Sequence, residues 1–237
     1  MESLFQYSGI IASIWIVVGI YVASLFYPNF SHSRQFCSEL GAFDSPTQKL
    51  SPLVNNYPLG ALFILFGCYL IFNFSAHLPT VFIGIMVIIH GLCTWVCGYF
   101  PMDADPYTKN PTRSCLIHSW SGVIMLLSFI IAPTIVIFSS YYSLAIRLVS
   151  LVCLIGCFYF AYRLNVAFKA KTVPGIHQRL SYGFQILWLF VYSFFVLAWE
   201  LTSNCSRSLA LTGTITRRLS RFAPILAYVL LPLSWVL

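Results

Sequence analysis

Six long runs of apolar residues, separated by short polar stretches, constrain this chain more than any other feature of its sequence. The runs cover residues 4–27, 58–74, 79–100, 115–138, 143–162 and 180–199. A helix needs about 20 residues to cross the hydrocarbon core of a bilayer, which is about 30 Å thick. Because helices satisfy their own backbone hydrogen bonds in lipid, the runs predict an all-α fold, a polytopic bundle of six transmembrane helices.

Composition supports this prediction. Of the 237 residues, 59% are hydrophobic and 8% are charged, whereas a soluble globular protein carries about 25% charged residues. This balance excludes a water-soluble domain. We therefore expect a multi-pass protein of a membrane, either the cell membrane or, in a bacterium, the inner membrane.

The C-terminal segment is harder to interpret. Residues 222–237 are apolar but short, and they contain Pro224 and Pro232. The sequence does not decide between a seventh span, a re-entrant segment and an interfacial helix. We predict two parts, a six-helix transmembrane domain over residues 1–200 and a tail with a short hydrophobic segment over residues 201–237.

The connectors between the runs are unequal in length. The long ones, residues 28–57, 101–114 and 163–179, all lie on the membrane face opposite the N-terminus, which we call face A. Four of the six acidic residues are on this face, and so are three of the five histidines. They are Glu39, Asp44, Asp103, Asp105, His32, His118 and His177. Polar chemistry is thus concentrated at face A, although the scattered basic residues leave the orientation of the protein in the membrane open.

Charge also limits the partners of the protein. The formal net charge is +7, but no stretch groups five or more Lys or Arg residues. No aromatic and basic surface typical of a nucleic-acid module is present in the sequence, so we expect no nucleic-acid partner. The excess of cations fits loops that face anionic lipid headgroups, and membrane lipids are the expected partners. The sequence does not indicate an oligomeric state.

Residues 34–46 contain the first candidate site. Glu39 could bind a metal, act as a base or pair with Arg34, and Ser38 and Arg34 could bind substrate. The alternative is a solvated loop in which the acidic side chains cap local turns. The spacing alone favours the solvated loop over a catalytic role.

Residues 98–122 contain the second candidate. Asp103 and Asp105 follow the third span, and His118 lies one turn into the fourth. Carboxylate and imidazole groups both bind zinc, and together they form a general acid–base pair. The alternative is that the aspartates cap the loop and His118 lies in the headgroup region.

The third candidate opens the sixth span, where His177 and Arg179 reach the same face. Arg179 could bind a phosphate or carboxylate through two hydrogen bonds, or it could extend to the lipid headgroups. His90 differs from these residues because it lies midway along the third span. We predict that His90 forms hydrogen bonds between helices, since a polar group at that depth usually faces the bundle interior.

The order of several short motifs resembles that of a known family. Tyr27-Pro28 and Ser38-Glu39-Leu40-Gly41 precede Asn55-Asn56, and Phe100-Pro101-x-Asp103 ends the third span before His118 opens the fourth. This order resembles the family called domain of unknown function 998, a set of six-span membrane proteins, over residues 5–200. The loop motif is also distantly similar to that of the damage-regulated autophagy modulator family. The resemblance implies a fold but no established activity, and the cysteine-rich third span and the tail after Glu200 depart from the family pattern.

Two functional hypotheses follow from face A. The first is a lipid-directed hydrolase or lipid-remodelling protein, in which Glu39, Asp103, His118 and His177 are catalytic and Ser38, Arg34 and Arg179 bind substrate. Asp103, His118 and His177 would then bind a divalent metal such as zinc, although the sequence does not determine whether any cofactor is present. The second is a non-catalytic lipid-binding, sensing or scaffold protein in which the same residues interlock the loops. A small-solute permease ranks last, because no polar stripe through the spans was identified.

Overall fold

The computed structural model describes residues 2–212, and these residues contain six long helices and no strand. The helices are α1 (Glu2–Leu25), α2 (Tyr57–Asn73), α3 (Leu78–Tyr99), α4 (Arg113–Phe138), α5 (Leu144–Lys169) and α6 (Pro174–Thr212). Each provides a segment long and apolar enough to cross a membrane, and for α2 this segment, Pro52–Asn73, includes the turn before the helix. The predicted six-span, all-α architecture is therefore confirmed. The segment predicted over residues 222–237 lies outside the described residues.

The boundaries of α5 and α6 differ from the prediction. The sequence predicted a long connector over residues 163–179, but α5 continues to Lys169 and α6 already begins at Pro174. Arg163 and Arg179 are therefore helical residues. A long cationic side chain is compatible with such a position, because it can extend beyond the end of a helix. Pro174 is well suited to open a helix, since its missing N–H would have no partner in the first turn.

The connectors at face A contain two short helical turns. A 3₁₀ turn covers Cys37–Gly41, and a π turn covers Pro52–Asn56 directly before α2. A π turn is wider than an α turn and frees a carbonyl group. The indole Nε1 of Trp15 in α1 donates to the Val54 carbonyl at 3.0 Å, which fixes this turn against the first helix.

Helices α2 and α3 pack against each other along an extensive contact. Two pairs of glycines face one another across it, Gly60 with Gly91 and Gly67 with Gly84. A Cβ atom placed on Gly67 would lie 2.5 Å from the Gly84 carbonyl oxygen, and one placed on Gly91 would lie 2.7 Å from the Gly60 carbonyl oxygen. Small residues allow membrane helices to approach this closely and gain backbone packing.

The compact unit that ends at Phe195 contains α1–α5 and most of α6, whereas α6 from Val196 onwards belongs to a second unit. Within the first unit, α6 is central. Trp188 is fully buried, donates from Nε1 to Ser150 Oγ of α5 at 2.9 Å, and packs edge-on against Phe129 of α4. At Gly9 the backbone of α1 lies directly against the Ser193 hydroxyl of α6. The core is thus formed around this last span.

Candidate functional site

Glu39 stabilises the turn in which it lies. Its Oε1 accepts a hydrogen bond from the Phe36 backbone N–H at 2.7 Å, and its Oε2 accepts one from Gln35 Nε2 at 3.2 Å. These contacts form the capping interaction of the 3₁₀ turn. The carboxylate that the sequence offered as a catalytic group therefore holds the first connector in shape.

Asp103 has a comparable position in the second connector. Its two carboxylate oxygens accept hydrogen bonds from the Thr112 hydroxyl at 2.6 Å and from the Thr112 backbone N–H at 2.9 Å. These hydrogen bonds, chiefly that of the hydroxyl, lower the pKa of Asp103 from its ordinary value of 3.8. Thr112 itself caps α4 by accepting from the Cys115 N–H. Asp103 thus closes the loop onto the start of the fourth span.

Arg179 ties α6 to the first connector. Its Nη1 donates to the carbonyls of His32, Gln35 and Gly175 at 2.6, 2.7 and 3.1 Å, and the ring of Phe30 lies against its guanidinium. Arg34 is exposed in the same connector.

Neighbouring residues strengthen this attachment. The Ile176 N–H donates to the Ser33 carbonyl, and the Cys37 N–H donates to Gln178 Oε1. The Phe43 N–H in turn donates to the Met102 carbonyl at 2.8 Å, which joins the first and second connectors. The loops at face A are therefore interlocked by hydrogen bonds.

The two predicted histidines have different surroundings. The Nδ1 of His118 lies 3.1 Å from the Cys97 carbonyl oxygen and 2.9 Å from that of Phe100, so Nδ1 carries the proton. His177 packs on the ring of Phe160, with the ring centroids 6.3 Å apart. Throughout residues 2–212, no group of three or more His, Cys, Asp or Glu side chains is arranged to hold a metal ion. The structure therefore does not bring Asp103, His118 and His177 together as a ligand set.

Beneath the interlocked loops lies a cavity of about 380 Å³. It is formed by the 3₁₀ turn, the π turn and all six helices, and Ser38 and His118 are the two predicted site residues that line it. The other lining residues with polar side chains are Cys37, Ser51, Asn55, Asn56, Thr94, Cys97, Ser119, Gln178, Ser181, Tyr182 and Gln185. Burial raises the pKa of the Cys37 thiol at the loop end of the cavity.

Tyr182 connects the cavity to His90. The Tyr182 hydroxyl lies 2.8 Å from His90 Nε2, while His90 Nδ1 lies 3.1 Å from both the Met125 carbonyl oxygen and Ser128 Oγ. His90 is fully buried in α3, and its partners belong to α4 and α6. The prediction that His90 forms hydrogen bonds between helices is confirmed.

The cavity reaches α4 at Ser119, Gly122 and Val123. Ser119 and Val123 are exposed side chains, and a Cβ atom placed on Gly122 would meet nothing within 4 Å. These three residues belong to the apolar span Arg113–Phe138. This part of the lining therefore lies in the membrane-spanning region of the chain.

Sequence reasoning missed the polar side of α6. Gln178, Ser181, Tyr182 and Gln185 have the spacing of one helix face, i, i+3, i+4 and i+7, and all four line the cavity. Part of the signal was available, because Gln185 lies inside the predicted span 180–199, where a polar group usually faces the bundle interior, whereas Gln178 fell in the predicted connector. Asn55 and Asn56 entered the sequence analysis only as part of a motif. The π turn that positions them is not recognisable from the sequence.

Six apolar helices long enough to cross a membrane, packed around a cavity, define this chain as a multi-pass helical membrane protein. The family model described as protein of unknown function (DUF998) matches residues 10–194, and the chain belongs to this family. No curated protein and no solved structure matches the chain significantly.

Proposed function

We propose that the protein binds a membrane lipid in the cavity without chemically converting it. The observation that carries this proposal is the cavity itself, because its volume of about 380 Å³ falls in the range of about 300–1,000 Å³ typical of small-molecule sites. Its lining combines apolar side chains with a few polar groups, which is the usual composition of a ligand site. In this proposal the cavity opens to the bilayer at Gly122, which lines it and has free space around it, so that the lipid enters laterally.

The contacts at face A favour binding over catalysis. The carboxylates of Glu39 and Asp103 and the guanidinium of Arg179 hold the connectors together. These contacts give each of the three groups a structural role within the connectors. In this proposal the loops form a fixed lid over the head of the bound lipid.

The opening provides a direct test. Gly122→Leu would place an isobutyl group at the entrance, where the structure leaves room for it. Gly183→Leu is the matched control, because Gly183 also has open space around it but does not line the cavity. We expect lipid extraction and mass spectrometry of the purified proteins to find about one tightly bound lipid in the wild type and in Gly183→Leu. Gly122→Leu should lose it while circular dichroism remains unchanged.

Two results would contradict the proposal. One is a folded Gly122→Leu variant that retains the wild-type amount of lipid, and the other is a wild-type protein that carries no lipid. The hydrolase hypothesis can be tested separately. Ser38 and His118 line the cavity, so a bound lipid would lie next to both side chains. Release of oleate from monooleoylglycerol by the wild type, absent in His118→Ala, would support hydrolysis in place of binding alone.

A further inference from the structure

Gln185 is a buried amide with an unused acceptor. Its side chain is 4% exposed and lines the cavity, and its Oε1 atom is buried with no hydrogen-bond partner among residues 2–212. A buried polar atom without a partner is costly to a fold. A ligand that donates a hydrogen bond would remove this cost.

The surrounding hydrogen bonds indicate which end of the amide is free. The Ser181 hydroxyl donates to the Cys157 carbonyl at 3.0 Å, and its oxygen lies 3.7 Å from the Cys157 sulfur. Gln185 Nε2 donates to that sulfur at 3.4 Å. Oε1 of Gln185 is therefore the amide atom left for a ligand.

Two other groups of the lining also have acceptor capacity. Asn55 Oδ1 lacks a partner within the described part of the chain too, but it packs against Gly19 of α1 and is not one of them. The His90 Nδ1–H points to the Met125 carbonyl, so His90 Nε2 accepts the Tyr182 hydroxyl hydrogen and leaves the Tyr182 oxygen as an acceptor. In neutral His118, the carbonyls of Cys97 and Phe100 engage Nδ1–H, and the lone pair is on Nε2.

The absence of charged side chains from the cavity lining indicates an uncharged ligand. Of the residues that the structure describes, those that line the cavity include no Asp, Glu, Lys or Arg. An ion of either sign would lose its hydration there without gaining an opposite charge, which is strongly unfavourable. A neutral donor fits both the acceptors and the absence of charge.

We propose that the cavity is selective for an uncharged lipid whose head carries two or more free hydroxyl groups, as a monoacylglycerol does. The hydroxyls donate to Gln185 Oε1 and the Tyr182 oxygen, and the chain lies along Ile16 and Leu126. This inference rests on the proposed function and adds the chemistry of the headgroup.

Competition binding tests the headgroup. Radiolabelled monooleoylglycerol is bound to the detergent-purified full chain, and unlabelled monooleoylglycerol, methyl oleate and oleylamine compete for it. The first has two hydroxyl donors, the second has none, and the third is a cation at neutral pH. We expect monooleoylglycerol to compete at least tenfold better than either analogue, which is the effect of about one net hydrogen bond.

Gln185→Met tests the residue. It keeps a long flexible side chain but removes the amide, so we expect about tenfold weaker binding of monooleoylglycerol. The melting temperature of the ligand-free protein should be equal or higher, because an unpaired acceptor is gone. Gln35→Met is the matched control outside the cavity lining, and its amide accepts from the Ser31 N–H at 2.8 Å. It should lower the melting temperature and leave the preference for monooleoylglycerol over methyl oleate unchanged.

The outcomes separate the two proposals. If no lipid probe binds, the proposed function fails. If monooleoylglycerol and methyl oleate compete equally in the wild type, lipid binding stands but the headgroup inference is overturned, since solvent then satisfies the acceptors. If Gln185→Met retains the full preference, Gln185 is not the acceptor and the inference fails at that residue.

Discussion

The close approach of α2 and α3 predicts opposite effects for one substitution at two positions. Gly67→Ala places a methyl group 2.5 Å from the Gly84 carbonyl oxygen and 2.6 Å from Ile88 Cγ1. A carbon–oxygen contact normally needs about 3.3 Å, so the two helices must separate by about 0.8 Å. Gly183→Ala makes the same change in α6, where nothing lies within 4 Å of the new atom.

The expected magnitudes follow from two opposing terms. Overpacking in a well-packed interior costs about 1–3 kcal/mol, and alanine gains about 0.5–1 kcal/mol over glycine within a helix. Gly67→Ala should therefore lower the free energy of unfolding by about 1–2 kcal/mol. Gly183→Ala gains helix propensity without overpacking, so it should raise the free energy of unfolding by about 0.5–1 kcal/mol.

Thermal unfolding in a mild detergent, followed by circular dichroism, measures the difference. For a chain of this size we expect the melting temperature to fall by about 3–6 °C in Gly67→Ala and to rise by about 1–3 °C in Gly183→Ala. Equal shifts in the two variants would refute the reasoning, because propensity alone would then account for both. A stabilised Gly67→Ala would show that the α2–α3 contact is looser than described.

Three further predictions concern face A. Hydrogen bonds from Thr112 lower the pKa of Asp103, so the ionised carboxylate stabilises the fold above its ordinary pKa of 3.8, and this contribution is lost as the pH falls through the lower folded value. Asp103→Asn should therefore melt below the wild type at pH 7, with a gap that closes in acid. Arg179→Met removes three carbonyl contacts, so trypsin should cleave at the exposed Arg34 faster in this variant. Because burial raises the pKa of Cys37, alkylation of this thiol at pH 7 should be much slower than in the SDS-unfolded chain.

Each of these predictions has a control. Asp44→Asn changes an exposed carboxylate of the same face and should leave the pH profile of melting unchanged. Arg163→Met removes a cation from α5 and should not alter cleavage at Arg34. Alkylation of Cys37 is read by peptide mass spectrometry at pH 7 and pH 9, and a rate independent of pH would contradict the expected scarcity of thiolate. A gap between Asp103→Asn and wild type that persists at pH 2 would show that the carboxylate charge is not what matters.

The sequence predicted the spans well because hydrophobic length is a direct physical requirement of the bilayer. It placed the ends of α5 and α6 wrongly, since Arg163 and Arg179 look like loop residues although their long side chains are compatible with helix ends. Loop chemistry was a weaker guide. Glu39 and Asp103 have the side chains of catalytic groups, and only their contacts reveal a capping role.

Predicting the cavity from the sequence would have required knowing which side chains face one another, and residue type alone does not show this. Ser38 and His118 were identified for their chemistry and do line it, whereas Gln185 was overlooked within an apolar span. Its unpaired Oε1 is visible only when the partners of Ser181 and Cys157 are known. A search for amides at helical spacing inside spans would have found α6, but not the direction in which its acceptors point.

The lateral opening proposed at Gly122 determines which interactions contribute to the free energy of lipid binding. A lipid that enters there leaves one hydrocarbon environment for another, so its acyl chain gains little from the hydrophobic effect. Chain length should then contribute weakly to selectivity, and the mole fraction of the lipid in the surrounding membrane should determine occupancy. Discrimination would depend almost entirely on a few hydrogen bonds at the head, and a change in membrane composition would be registered directly as a change in the fraction of cavities filled.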